Sequence, residues 1–454
     1  MAAITRSFAG TCSHANDIIK SPVHTLPPEV LSIIFTLALP SNQQLIPGTP
    51  RPRLTNPFPL CAVCSLWRSL ALATPQLWKR VFVHIPFNIS RADSELKAVD
   101  LVPWIERSGS LPLTLFISYD DNMPLDEMGP VASIAQVLNH YAPRWETLYL
   151  QYPDQNMHRI GSDSSRLFRI IEWSSLQQVY WFRTHTNPLA QKHKIIPWAQ
   201  VTHLEIHCSI SFSHAVSIFK GCQKLLQLSI SIESWSFEAL ASPVTLHDLS
   251  VMHLTTANLS AVVQLISLPS IREISVQRMA RRPSDLKSLL CFLTRSSCTL
   301  DKLKIYGPPF APGELVHILA HRSCNSLASL IISDYRPSTQ ASADGKVLQR
   351  LTLHRNDSLC THLKSLVLDC QGSLSTLLSM VESRIGSDAC QLPDGLLQHL
   401  HLRILNFHDE EELGQVIKRS GMEYVVVPEK SINVYTVALR RCRLTLVLAK
   451  LDDS

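Results

Sequence analysis

The chain has 454 residues, and its 42 Lys plus Arg outnumber its 37 Asp plus Glu to give a formal charge of +5. Hydrophobic residues make up 45% and charged residues 17%, which excludes global disorder and gives no strongly basic surface for a nucleic-acid partner. Because single hydrophobic cores stop growing near ~250–300 residues, this length predicts several modules or an elongated repeat array.

The cysteines and the start of the chain indicate a cellular compartment. The 12 cysteines are widely scattered, which predicts reduced thiols rather than a disulfide framework. The first residues lack the basic and then apolar pattern of a secretory signal, and no stretch approaches the ~18 consecutive apolar residues of a membrane span. We therefore expect a cytoplasmic or nuclear protein with no membrane partner.

Helical patterns begin after a tail predicted to be loose, residues 1–20. Residues 26–35 (LPPEVLSIIF) place two prolines and a carboxylate before an apolar run, which is typical of a helix start. A proline-rich segment follows at 40–59, and apolar residues at three- and four-residue spacing then predict a helix over Leu60–Leu72. Thr74-Pro75 ends that helix and leads to a predicted strand over Val81–Ile85.

The ordered set 26–35, 61–71 (CAVCSLWRSLA) and 74–78 (TPQLW) resembles an F-box. The resemblance implies a three-helix hook, residues 21–84, that inserts into a Skp-type adaptor bound to the cullin scaffold of an SCF ubiquitin ligase. The proline-rich insert departs from the family pattern, in which the first two helices are joined by a shorter link. By resemblance, the adaptor-facing residues are Leu26, Pro27, Glu29, Leu31, Ile34, Phe35, Val63, Cys64, Trp67 and Trp78.

This segment has two other interpretations. The same positions could be core residues of a helical cap on the following domain. The pair Cys61 and Cys64 suggests zinc, but a zinc site needs four ligands and the chain has no second Cys-x-x-Cys. We predict no metal at this pair and no cofactor for the protein.

The remainder, residues 85–454, repeats the phrase apolar-x-x-apolar-x-apolar at intervals that average about 29 residues. Ten phrases begin at Trp145, Leu176, Val201, Leu225, Leu246, Ile271, Leu300, Leu327, Leu363 and Leu402. Helical patterns lie between them at 131–141, 213–222, 258–268, 285–296, 314–321, 374–385 and 410–419. One strand and one helix per repeat predict an α/β chain: a short three-helix F-box followed by an irregular leucine-rich-repeat solenoid with parallel strands and outer helices.

A doubly wound nucleotide-binding domain is the alternative for this region, since it also alternates strands with helices. Its phosphate-binding loop is missing, because neither Gly-x-Gly-x-x-Gly nor Gly-x-x-x-x-Gly-Lys-Ser/Thr occurs in the sequence. The solenoid is therefore the favoured interpretation. By resemblance, F-box proteins often carry such a repeat array as their substrate-binding half.

Period-two alternation places the residues between the apolar positions on the opposite, concave face of the predicted sheet. There the aromatic residues Tyr149, Tyr180 and Phe182 are the leading candidates for anchoring a protein substrate, since aromatic side chains dominate binding hot spots. Lys302 and Lys304, beside Tyr306, are candidates for contacting an acidic or phosphorylated segment. At the phrase that begins at Leu246, the same rule places Met252 on this face.

His203, Glu205 and His207 share one predicted strand face, with spacing that suits a metal or an acid/base pair. Only three ligands are visible, and no catalytic motif accompanies them.

These patterns predict a non-catalytic substrate-recognition subunit of an SCF-type cullin-RING ligase, which docks through the F-box and binds an unknown protein on the concave face. The alternatives are an F-box scaffold that acts without ubiquitylation and, last, a metallo-enzyme at His203, Glu205 and His207.

Overall fold

The computed structural model describes residues 25–40, 56–86, 89–119, 132–151, 173–182, 196–233, 243–280, 285–308, 313–333, 345–353, 357–370, 374–385, 397, 399–404, 425–426, 433–439 and 444–450. The predicted tail at 1–20, most of the proline-rich insert and the predicted helix at 410–419 lie outside these residues. The chain divides into two units, one of residues 1–79 and 103–111, the other of residues 80–102 and 112–454.

The first unit contains three short helices, α1 (Pro28–Ala38), α2 (Phe58–Cys61) and α3 (Ser65–Leu72). Helix α1 begins at consecutive prolines with Glu29 in its first turn. It ends at Ala38, and the next residue, Leu39, has the extended backbone that is favoured before Pro40. The prediction of one helix over Leu60–Leu72 is wrong. The backbone at Cys64 is extended, and its sulfur accepts a hydrogen bond from the Trp67 amide, so Cys64 caps α3.

These helices enclose a core of Leu31, Phe35, Leu60, Cys61, Ala71, Leu77 and Trp78. The Trp78 indole donates to the Ala71 carbonyl oxygen at 2.8 Å, which satisfies its polar atom inside the core. Trp104, from the part of helix α4 (Arg91–Arg107) that belongs to this unit, packs edge-on against Trp78 with ring centroids 5.0 Å apart. The first unit is therefore a small helical core completed by a returning segment of chain.

The second unit is built on one long sheet. Its strands are β1 (Arg80–Ile85), β2 (Leu113–Tyr119), β3 (Trp145–Gln151), β4 (Gln178–Phe182), β5 (His203–Ser211), β6 (Gln227–Glu233), β8 (Val251–Thr256), β10 (Glu273–Arg278), β11 (Lys302–Tyr306), β12 (Ser329–Ser333), β13 (Ser365–Cys370), β14 (His399–Ile404), β15 (Val425–Val426), β16 (Asn433–Leu439) and β17 (Leu444–Lys450). Two further short strands, β7 (Val244–Thr245) and β9 (Ile266–Ser267), pair with each other.

Strands β1 to β14 of the long sheet lie side by side in chain order, and every neighbouring pair is parallel. Strand β17 pairs parallel with β14, and β16 and β15 continue the sheet in antiparallel pairing. The prediction of an α/β chain with parallel strands is confirmed.

Helices occupy the connections: α5 (Ala132–His140), α6 (Phe212–Gly221), α7 (Leu259–Gln264), α8 (Asp285–Ser296), α9 (Glu314–Leu319), α10 (Gly345–Leu351) and α11 (Leu374–Ile385). Six of the predicted helices fall on these elements, and the bounds of α8 and α11 are as predicted. Because crossovers between parallel strands are right-handed and the strand order follows the chain, the connecting helices lie on one side of the sheet.

The strand residues that face these helices form two buried rows. In one row, strand pairing aligns Leu148, Val179, Leu204, Leu228, Met252, Ile274, Leu303, Leu330, Leu366 and Leu400. All ten side chains are buried, so burial follows the alternation that the sequence predicts. Eight of the ten phrases have the predicted register.

In two phrases the predicted first residue is displaced from the true one, by three residues in one phrase and by five in the other. Met252 pairs with Leu228 and is buried, so the true phrase is Leu249-Met252-Leu254, and the prediction that Met252 faces outward is wrong. Likewise, β14 pairs Leu400 with Leu366, which replaces the predicted phrase from Leu402 by one from Leu397. Leu246 is buried as well, and its apolar side chain led to a predicted phrase that starts three residues before the true start at Leu249.

Candidate functional site

The first candidate surface is an apolar patch on the helices of the first unit. Helix α1 turns Ile33 and Leu37 outward with 60% and 78% of their surface exposed, and Val30 and Ile34 beside them are also exposed. Val63, between α2 and α3, is 59% exposed. Exposed aliphatic side chains on a small helical unit are candidates for contact with a partner, because burying them is favourable.

The ten residues predicted to face an adaptor separate into buried, half-buried and exposed groups. Leu31, Phe35 and Trp78 are buried in the core of the unit, so in this structure their side chains pack inside it, and adaptor contact by these three stays a prediction. Trp67 is half-buried, and its ring lies 4.7 Å from that of Phe35. Cys64 is half-buried as the cap of α3. The exposed members are Leu26, Pro27, Glu29, Ile34 and Val63.

The second candidate surface is the side of the long sheet opposite the buried rows, which we call the open face. We call its middle line of in-register residues the central row, and it consists of Phe82, Phe116, Tyr149, Tyr180, Glu205, Ser229, His253, Ser275, Lys304, Ile331 and Val367. The row is aromatic over β1–β4 and polar over β5–β11.

The aromatic part of the row is a stack of rings. Phe82 and Phe116 have centroids 4.6 Å apart, and the steps from Phe116 to Tyr149 and from Tyr149 to Tyr180 are each 4.4 Å. The rings are within 14° of parallel at every step, since in-register side chains on neighbouring parallel strands are ~4.8 Å apart. We call Phe82, Phe116, Tyr149 and Tyr180 the aromatic ladder.

Stacking leaves the predicted aromatic anchors unequally accessible. Tyr149 and Phe182 are each only 7% exposed, because Tyr149 lies between two ladder rings and Phe182 stacks on His207 at 4.4 Å. Tyr180 is half-buried and is the last ring of the ladder, followed in register by the carboxylate of Glu205. Burial, together with that carboxylate, raises the pKa of the Tyr180 hydroxyl. Among the three predicted aromatic anchors, Tyr180 is therefore the most accessible to a partner.

His203, Glu205 and His207 all lie on β5 but have different contacts. His207 Nε2 and Glu205 Oε1 are 2.6 Å apart, whereas His203 Nδ1 lies 2.9 Å from the Thr202 hydroxyl. The register of β5 against β6 shifts between Ile206 and Ser209, so His207 sits at an irregularity of the strand. Burial lowers the pKa of His203. In the part of the chain that is described, no group of three or more His, Cys, Asp or Glu is arranged to hold a metal ion.

The two predicted lysines share one carboxylate. Lys302 Nζ lies 3.1 Å from Glu273 Oε2, and Lys304 Nζ lies 2.7 Å from Glu273 Oε1. Burial raises the pKa of Glu273, but the hydrogen bonds and charges of Lys304 and Lys302 outweigh it, so the net shift is downward. Tyr306 is half-buried at the end of the same strand. The structure thus brings Lys302 and Lys304 together around a residue that was not among the predicted binding residues.

Three residues of the central row were missed as candidates. Phe82 and Phe116 each stand between buried apolar residues of β1 and β2, so period-two alternation could have identified them. Both lie before Trp145, where the first of the ten repeat phrases begins, and the predicted face residues all come from those phrases. His253 was missed because the register error at Met252 moved every neighbouring side chain to the wrong face.

Comparison with models of protein families and with curated proteins finds no match to this chain. Among the described residues, no helix is both long enough and apolar enough to cross a membrane.

Proposed function

We propose that this protein is the substrate-recognition subunit of an SCF-type cullin-RING ubiquitin ligase. In this proposal the first unit is an F-box that binds a Skp-type adaptor, and the second unit is a leucine-rich-repeat-like array that binds a target protein on its open face. The chain supplies proximity and orientation, while a conjugating enzyme held on the same scaffold modifies the target. The protein then acts in the cytoplasm or the nucleus.

The observation that carries the proposal is the apolar surface of α1, with Ile33, Ile34 and Leu37 exposed above a core formed by Leu31 and Phe35. A unit this small has few apolar residues to spare, so leaving several aliphatic side chains in water is costly unless a partner covers them. The order of motifs in the first unit resembles an F-box, and this resemblance implies a Skp-type adaptor as the partner. The strand-helix repeat of the second unit is consistent with a substrate-binding array.

The test is co-purification of the full chain with a Skp-type adaptor. Ile34→Asp and Val63→Asp place a charge on the exposed surface without entering the core, so we expect each to reduce the recovered adaptor at least tenfold. Leu96→Asp is the matched control, since Leu96 is an exposed aliphatic residue of the second unit and its replacement should leave the complex intact.

Unchanged adaptor recovery by both surface variants would overturn the F-box assignment. Recovery of the adaptor without a cullin and without ubiquitin transfer would instead favour the scaffold that acts without ubiquitylation.

A further inference from the structure

The central row contains an aromatic side chain and a basic side chain in the same line of in-register residues. Tyr180 on β4 ends the aromatic ladder, and Lys304 on β11 lies in the same in-register line. Five steps between neighbouring strands separate them, which at ~4.8 Å a step is about 24 Å. A segment that crosses the strands along this row therefore meets an aromatic ring at one end and an ammonium group at the other.

The residues between these ends leave room for a crossing chain. Ser229 and Ser275 are small, and they flank His253 in the row. Burial lowers the pKa of His253, which keeps that side chain neutral near pH 7. Glu205, next to Tyr180, is already bonded to His207. The middle of the row therefore offers the hydroxyl groups of Ser229 and Ser275 and the imidazole of His253 to a partner, while the Glu205 carboxylate is already paired with His207.

The β10–β11 end carries a net positive charge. Lys302 and Lys304 share the single carboxylate of Glu273, so two ammonium groups face one negative charge. The Lys302 side chain is 53% exposed and can reach a second carboxylate without leaving a buried position. An acidic side chain of a partner would therefore be complementary in charge to Lys302 and Lys304.

We infer that the open face binds an extended, acidic protein segment that lies along the central row. An apolar side chain of the segment contacts Tyr180, and an acidic side chain about seven residues away, at ~3.3 Å per residue, contacts Lys302 and Lys304. The inference rests on the proposed function, because it takes the second unit to be the half that binds a target. It adds the chemistry and the spacing by which the target is recognised.

The experiment selects displayed random peptides of about twelve residues on the full chain, without adaptor. We expect enrichment of sequences in which an apolar and an acidic residue are six to eight positions apart. The best peptide is then measured by fluorescence anisotropy against Lys302→Gln/Lys304→Gln and against Tyr180→Ala, and each variant should bind at least fivefold more weakly. Lys224→Gln, at an exposed lysine off the row, is the matched control and should bind as the parent does.

Thermal unfolding of each variant separates lost binding from lost folding, which matters for the double Lys→Gln change because the Lys304 side chain is only 24% exposed. Selection of no peptide, selection without an acidic residue at that spacing, or equal binding by parent and double variant overturns the inference. The adaptor takes no part in this assay. A failure here would therefore overturn the inference about the peptide without deciding whether the first unit binds an adaptor.

Discussion

At the scale of single residues, three buried cysteines occupy equivalent positions in three of the repeats, where they pack as small apolar side chains. Cys222, Cys324 and Cys360 each stand three positions before the first apolar residue of a strand phrase, and all three are buried. At the last two, that first apolar residue of the phrase donates its amide to the cysteine carbonyl at 3.2 Å, which closes a turn before the strand. Each of these thiols therefore behaves as a small hydrophobic residue.

Burial fixes the reactivity of these thiols. It raises the pKa of Cys222 and Cys324 to about 12 and that of Cys360 to about 11. We expect iodoacetamide at pH 8 to modify exposed Cys291 at least tenfold faster than these three, as measured by peptide mass spectrometry. The raised pKa values stabilise the fold below the ordinary thiol pKa of 9.0, and this contribution is lost as the pH rises toward 12.

Denatured protein is the control, because there all cysteines should react at similar rates. Equal modification of Cys291 and Cys324 in the folded protein would contradict the burial of the thiols.

At the scale of elements, the end of β11 is followed by a glycine that no residue with a side chain can replace without a shift of the backbone. Gly307 has a φ of +111°, and a Cβ there would lie 2.1 Å from the Arg278 carbonyl oxygen. The same Arg278 has its guanidinium buried, 3.7 Å from the Asp285 carboxylate at the start of α8 and bonded to the Pro308 carbonyl. The turn therefore locks β10, β11 and α8 together.

Gly307→Ala should lower the stability of the folded protein by about 3 kcal/mol or more, because the backbone must move to remove the clash. Gly313→Ala has a positive φ but open space, so it should cost only about 1–2 kcal/mol. Gly345→Ala, with neither feature, should change stability by less than about 0.5 kcal/mol. Chemical denaturation of the three variants measures the order, and a Gly307→Ala variant as stable as Gly345→Ala would refute the close approach.

The register of β8 shows what could be predicted for an element and what could not. The alternation of apolar residues identifies the strands, because buried and open positions must alternate along them. It does not choose between Leu246-Leu249-Val251 and Leu249-Met252-Leu254, since Leu246, Leu249 and Met252 are all buried. Pairing with β6 settles the choice, and pairing is a long-range property that local spacing does not contain.

Met252→Asp tests this register. The buried carboxylate would have no partner in an apolar row, so we expect a loss of more than about 4 kcal/mol or insoluble protein. His253→Ser, on the adjacent open-face position, should cost no more than about 1 kcal/mol. Soluble expression and thermal unfolding give the comparison. The opposite order of effects would restore the register predicted from sequence.

At the scale of the whole molecule, the repeat continues through one chain of backbone hydrogen bonds. Residues Gln177, Thr202, Leu226, Ser250, Arg272, Asp301, Ala328 and Lys364 each donate an amide to the equivalent carbonyl of the preceding repeat, beginning at Glu146, over 2.7–2.9 Å. The spacings between them, from 22 to 36 residues, accommodate connections of different lengths because each repeat must match only its neighbours. Local spacing in the sequence was therefore enough to predict the series of strands. It was not enough to predict the aromatic ladder, because the ladder depends on which side chains strand pairing aligns.

The division into two units predicts that adaptor binding and peptide binding can be removed separately. Ile34 lies in the first unit and Lys302 and Lys304 lie in the second, so no core residue is shared between the two sets of substitutions. We expect Ile34→Asp to lose the adaptor while retaining affinity for the selected peptide within twofold, and Lys302→Gln/Lys304→Gln to show the reverse. Co-purification and anisotropy on the same protein preparations measure both properties. Loss of both by either variant, with thermal unfolding unchanged, would mean that one surface serves both partners, and the assignment of adaptor to the first unit and target to the second would have to be abandoned.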